Sequence, residues 1–158
     1  LLRAIPRAKG AGEDATGLSQ FVLLPRRATA AAAGVPIAPD PDWLDSEYLA
    51  LRQDWIRSVI GVDPAHVGLE IAAGDSMVPT IQHGDVLLID TSDQEFAQYG
   101  IYVLEIEGER LVKRVQRKLD GSLTLISDNP SYERDFLPTD KAASVRAVGR
   151  VVWAGGLI

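Results

Sequence analysis

After Asp63-Pro64 the chain becomes a series of short β-type runs cut by turn residues, at 67–71, 86–89, 101–106, 109–115, 123–126 and 145–153. Runs this short, rich in Val, Ile and Leu and bounded by Gly, Asp, Asn and Pro, predict a mainly β, antiparallel domain. Glu107-Gly108 and Asp120-Gly121 each supply the glycine that a tight reversal takes, and each predicts a hairpin. Alternation along the strand between them puts Glu109, Leu111, Lys113 and Val115 on one face and Arg110, Val112, Arg114 and Gln116 on the other.

Ahead of these strands, Leu44, Tyr48, Leu51, Trp55 and Val59 recur at helical spacing and predict one helical segment packed on the core. Asp54 is its possible cap and Gly61 its stop, while the half before Asp54 also reads as extended chain. Residues 1–20 are rich in small residues and follow neither amphipathic period, so they read as linker. Residues 21–24 form a short β-type run ended by Pro25, and 28–39 is an unpatterned loop whose alanines are stopped from helix by Gly34, Pro36 and Pro39. The expected organisation is an arm over 1–40 and a folded domain over 41–158.

With 158 residues, 46% of them hydrophobic, the chain can bury a core of its own. It has no cysteine, so a reducing cytoplasm is the expected location and a disulfide framework or zinc-thiolate site is excluded. No apolar run approaches the roughly 20 residues of a membrane helix, and no membrane partner is expected. His66 and His83 stand without carboxylates at ligand spacing, so neither a metal nor another cofactor is expected. A formal charge of −6 opposes phosphate binding, so this chain is not expected to hold DNA by itself.

The candidate chemistry lies in Gly74-Asp75-Ser76-Met77-Val78-Pro79-Thr80, read together with Lys113 in Leu111-Val112-Lys113-Arg114-Val115. A serine hydroxyl needs a base to become a nucleophile, and lysine is one of the residues that can serve. A lysine sharing a strand face with Leu111 and Val115 loses hydration, which favours its neutral amine, the form able to take a proton. The plainer readings are that Asp75 and Ser76 cap a helical turn beginning at Met77 and that the lysine stem packs while its ammonium reaches water.

The serine loop and the Lys-Arg strand together resemble the serine-lysine self-cleaving repressors, the family of LexA and the phage cI-type repressors. The resemblance continues through His83-Gly84-Asp85-Val86-Leu87-Leu88-Ile89-Asp90 and returns at Ser127-Asp128-Asn129-Pro130-Ser131-Tyr132, covering roughly the last hundred residues. It implies a LexA/signal-peptidase-like β domain with Ser76 as nucleophile, Lys113 as general base and the backbone N–H groups of Asp75 and Ser76 as oxyanion donors. It also implies a supporting place near the site for the Asp128-Asn129-Pro130 turn. Glu109 matches a family acidic position, but along a straight strand it lies too far from Lys113 to touch it.

Family members cut one of their own bonds, usually Ala-Gly. Of the steps Ala11-Gly12, Ala33-Gly34, Ala73-Gly74 and Ala154-Gly155, the third adjoins the nucleophile and the fourth follows the last strand. Ala33-Gly34 is the favoured scissile bond, with Ala11-Gly12 as the other candidate. The resemblance implies a repressor's carboxy-terminal domain that forms a homodimer and takes its own linker as substrate. Operator DNA would be reached only through an amino-terminal domain absent here, and induction in an SOS response would come from a RecA-DNA filament. Two other readings stand beside it: a non-cleaving dimerisation module of a phage-type repressor, and a signal peptidase, against which the lack of a membrane span argues.

Overall fold

The computed structural model describes residues 20–25, 27–28 and 48–156. Among them, the strands in chain order are β1 (Phe21–Pro25), β2 (Arg27–Ala28), β3 (Tyr48–Arg52), β4 (Val67–Ile71), β5 (Val86–Asp90), β6 (Gly100–Ile106), β7 (Glu109–Arg117), β8 (Leu123–Ile126), β9 (Asp135–Leu137) and β10 (Arg146–Gly155). β1 and β3 pair antiparallel as a separate ribbon, and the other eight form one sheet in the order β2-β4-β5-β10-β6-β7-β8-β9. Every neighbour in that sheet is antiparallel except β2 and β4, where Arg27 faces Glu70 and Ala28 faces Ile71 in parallel. The mainly antiparallel β architecture is the one the run spacing predicts. Both hairpins form too, with positive φ at Glu107 (52°), Gly108 (86°) and Gly121 (84°).

The helical segment is shorter than its apolar spacing suggests. Residues Tyr48–Arg52 are strand β3, and the helix occupies only Gln53–Trp55, continued by a wide turn over Ile56–Ile60 that Gly61 ends at φ +79°. Pairing with β1, from Phe21 opposite Arg52 to Pro25 opposite Tyr48, holds the first half extended. Arg52 takes the cap position, and Asp54 sits inside the first turn, accepting the N–H of Trp55 at 2.8 Å. Leu51 and Trp55 pack on the core as expected, but the buried anchor is Ile56, and Val59 is exposed. No helix among the described residues is long and apolar enough to cross a membrane.

Three apolar clusters result. Leu24, Ile56, Val62, Val67, Leu69 and Leu88 join the β1/β3 ribbon to the main sheet. Ala72, Met77, Ile81, Leu87, Ile89 and Val103 fill the middle, under the serine loop. The third, built on Tyr102, Leu104, Val115, Leu123 and Leu125, lies on the face of β6, β7 and β8 that Lys113 shares. β10 is the central strand that joins these regions, bulging twice as it passes from β6 to β5. At Gly149 an added Cβ would meet the carbonyl oxygen of Asp90 at 2.8 Å, so only glycine permits that crossing. Among the described residues of the apolar carboxy-terminal run, Val148, Val151 and Ala154 pack on the middle cluster and Val152 on the first, while Trp153 is exposed.

The sheet curls enough for β7 to reach back to β4, where Arg110 forms an ion pair with Glu70, whose side chain is 3% exposed. Glu105 extends the network to Arg146 at 3.0 Å. This pair ties the strand that leads into the serine loop to the strand that carries the lysine. Removing Arg110 takes an ion-pair partner from the buried Glu70 carboxylate, so Arg110→Ala should lower stability by about 1–3 kcal/mol. Glu70→Gln combined with Arg110→Met should recover much of that loss in a urea-unfolding measurement. Equal stability of Arg110→Ala and the parent chain would show that the pair contributes nothing.

Candidate active site

β4 ends at Ile71 and the chain turns through Gly74 at φ +80°, a conformation that glycine accepts without strain. The base of the loop is fastened by Ala72 N–H to Asp85 O and Gly84 N–H to Ala72 O, both 2.8 Å. Gly74 N–H also donates to His83 Nδ1 at 3.2 Å, a role for His83 that its isolation in the sequence did not suggest. Beyond the serine, Met77 and Ile81 sink into the middle cluster. Val78 N–H reaches Asp75 O and Ile81 N–H reaches Met77 O, closing one turn. Ser76 is thus half-buried on a loop held at both ends. Asp75 does open a turn, but through its carbonyl, which leaves its carboxylate for another partner.

Lys113 keeps the face that alternation assigns. Val115 is fully buried, while Leu111 and Lys113 line a cleft of about 490 Å³ with Ile106, Leu125 and Val145. The lysine amine donates to Ser127 Oγ at 2.6 Å. Register explains the contact: Arg114 faces Ile126 and Val115 faces Leu125, so the next step of the ladder sets Lys113 against Ser127, just past the end of β8. On the other face, Arg114 donates from Nε and Nη2 to the two oxygens of Asp128, at 2.9 and 2.7 Å. These hydrogen bonds hold the Asp128 carboxyl below its ordinary range, with the Thr80 side chain adding to the effect.

The 127–132 turn then reaches the serine loop. Asn129 donates its N–H to Ser76 O and its Nδ2 to Asp75 O, both at 3.0 Å. Tyr132 donates its hydroxyl to Asp75 Oδ1 at 2.5 Å, and its ring centroid lies 5.4 Å from the Lys113 amine. One turn therefore touches both the serine loop and the lysine. The Asp75 and Ser76 N–H groups, expected as oxyanion donors, carry no hydrogen bond to other described residues. Glu109 is exposed opposite Ile106 on the hairpin, away from the amine. Ala33-Gly34 and Ala11-Gly12 lie outside the described residues. Among the described residues no three His, Asp or Glu side chains converge as metal ligands.

The chain matches the Peptidase S24-like family over residues 27–152. It belongs to that family. Its relatives include a protein described as an uncharacterized HTH-type transcriptional regulator from Haemophilus influenzae, 33% identical over 103 residues, 65% of this chain and 43% of the relative. The HTH-type transcriptional regulator PrtR of Pseudomonas aeruginosa is 31% identical over 59% of this chain and 38% of its own length. The 26 kDa repressor protein of Escherichia phage HK022 is 34% identical over 50% of this chain and 33% of its own. This Peptidase S24-like chain thus aligns with less than half the length of each of these three relatives.

Electrostatics make the S24-like loop and its turn sensitive at both ends of the pH scale. The hydrogen bond from the Tyr132 hydroxyl to Asp75 raises the phenol above its ordinary value, and the carboxylate charge adds to this because ionisation would place two anions together. A raised value means that the hydrogen bond contributes at and below the ordinary tyrosine range and is lost only as pH climbs through the higher folded value. Ultraviolet titration, taken as the difference between the parent chain and Tyr132→Phe, should show Tyr132 ionising late, and Asp75→Asn should bring it back toward an ordinary tyrosine. Unchanged titration in Asp75→Asn would remove Asp75 as the cause. Asp128 has the opposite sign: its lowered value contributes stability above the ordinary carboxylate range, lost as pH falls through the folded value. The stability gap between the parent and Asp128→Asn should be widest near neutral pH and close in acid. A gap constant with pH would contradict this.

Proposed function

We propose that this chain is the carboxy-terminal domain of a transcriptional repressor, a serine endopeptidase that pairs the repressor as a homodimer and inactivates it by cutting its own linker. The observation that carries the reading is the 127–132 turn, bonded at once to the Ser76 backbone through Asn129 and to the Lys113 amine through Ser127. Family membership and the regulators and phage repressor among the relatives support it. In the proposed step the neutral Lys113 amine takes the Ser76 hydroxyl proton as Oγ attacks the Ala33 carbonyl carbon. Asp75 and Ser76 N–H groups receive the oxyanion, and the proton passes from Lys113 to the departing Gly34 amine. Water then hydrolyses the Ala33 ester and restores Ser76.

The choice of Ala33-Gly34 is supported by β2, whose Ala28 lies beside Ile71 in parallel. β2 thus brings the chain a few residues before Ala33 beside the end of the strand that leads into the Ser76 loop. Operator DNA is a partner only through a further domain, since a charge of −6 repels phosphate. A second reading, a dimerisation module that does not cut, draws on the engagement of the lysine amine with Ser127.

Mass spectrometry after alkaline incubation separates the two. Cutting should quicken as pH rises, and Ser76→Ala and Lys113→Ala should each abolish it without loss of fold. Wild-type cutting by Lys113→Ala would exclude the lysine as base. Gly34→Glu should block the reaction by crowding the attacked carbonyl, whereas loss only in Gly12→Glu would move the bond to Ala11-Gly12. Sedimentation should give a dimer, and a monomer at tens of micromolar would rule the homodimer out.

A further inference from the structure

Ser127 sits just beyond the last pair of β8 and is 8% exposed, yet its hydroxyl takes the hydrogen bond of the one lysine on the apolar face of β7. A neutral amine has a single lone pair and two N–H donors. If it gives one N–H to Ser127 Oγ, rotation about Cε–Nζ is pinned and the lone pair stays free, held in one direction. The neighbouring link from Arg114 to Asp128 fixes the turn from the other face of the same strand, so the Ser127 oxygen is itself held in place. The charged groups that share the cleft are Glu107, Asp135 and Lys141, and the Tyr132 ring covers the amine at 5.4 Å. Of these groups, Ser127 alone forms a hydrogen bond with the amine.

We infer that Ser127 is a positioning residue for Lys113: its hydroxyl accepts from the amine and aims the amine's lone pair toward the serine loop. The inference rests on the serine-lysine reading above, but its physical content, a hydroxyl that holds a lysine amine, can be measured without any cleavage. Losing that acceptor should let the amine wander.

The test uses the full chain as parent, Ser127→Ala, Ser127→Thr and Ser127→Cys. The last keeps the volume close and weakens the acceptor. Two readings are taken across pH: the self-cleavage rate, and trace acetylation by acetic anhydride followed on the peptide that contains Lys113. Ser127→Ala should lower the alkaline plateau of cleavage by roughly 10- to 100-fold. It should also raise acetylation of the Lys113 peptide roughly severalfold at a given pH, because the amine is no longer held against the Ser127 hydroxyl. Threonine should restore both, and cysteine should fall between, which keeps the test open if the alanine variant does not fold. Acetylation that is equal for all four chains overturns the inference, as does a fall in cleavage rate with no rescue by threonine. If the parent chain cuts at no pH, the serine-lysine reading fails, and the extent of acetylation still decides whether Ser127 holds the amine.

Discussion

The pairing of β7 with β8 is the constraint on which the candidate site depends. With Arg114 opposite Ile126, the ladder sets Lys113 against Ser127 and leaves Arg114 free to grip Asp128 with both prongs of its guanidinium. Two adjacent side chains of one strand thus hold two adjacent residues of the following turn, one from each face. A slip of one residue would turn Lys113 to the opposite face and place Val115, now fully buried, toward the other side. The apolar burial of Val115, Leu123 and Leu125 is what makes that slip costly.

From this register the turn passes its order to the serine loop. The Asn129 and Tyr132 bonds to Asp75 and Ser76 join segments more than fifty residues apart in the chain, |i−j| being 54 and 57 for the two to Asp75. Met77 and Ile81 hold the same loop from below by burial, and the Gly74 to His83 bond holds its entry. Polar contacts above and apolar contacts beneath leave the serine little freedom to move, which is the condition for a nucleophile to be held near one geometry.

The curl of the main sheet completes the arrangement. The Glu70 to Arg110 pair joins β4 to β7 although three strands separate them in the sheet, so the strand leading into the Ser76 loop and the strand bearing Lys113 are tied to each other directly as well as through the turn. Burying a carboxylate to this degree is unfavourable without its guanidinium, and the pair therefore specifies the curl more than it adds stability.

The sequence by itself determined the strands β4 to β8 and β10, because short runs rich in Val, Ile and Leu and bounded by turn residues favour extended chain, and it determined the two hairpins. It also placed Ser76 in a turn between Gly74 and Pro79 and Lys113 on an apolar strand face, while the reading of the two as a pair came from the family resemblance. Alternation placed Lys113 correctly with Leu111 and Val115 because that rule is local. Tertiary structure decided the rest. The stretch 48–52 satisfies a helical spacing, but β1 offers it a ladder of backbone hydrogen bonds, so it becomes strand. β2 and β9, of two and three residues, exist only because β4 and β8 present edges to pair with. By their own chemistry Ser127 and Asp128 read as turn residues, with a place near the site implied for the 128–130 turn only by the resemblance, and His83 read as an isolated histidine. Their partners are set by register and by sheet curvature, and neither is written in the residues beside them.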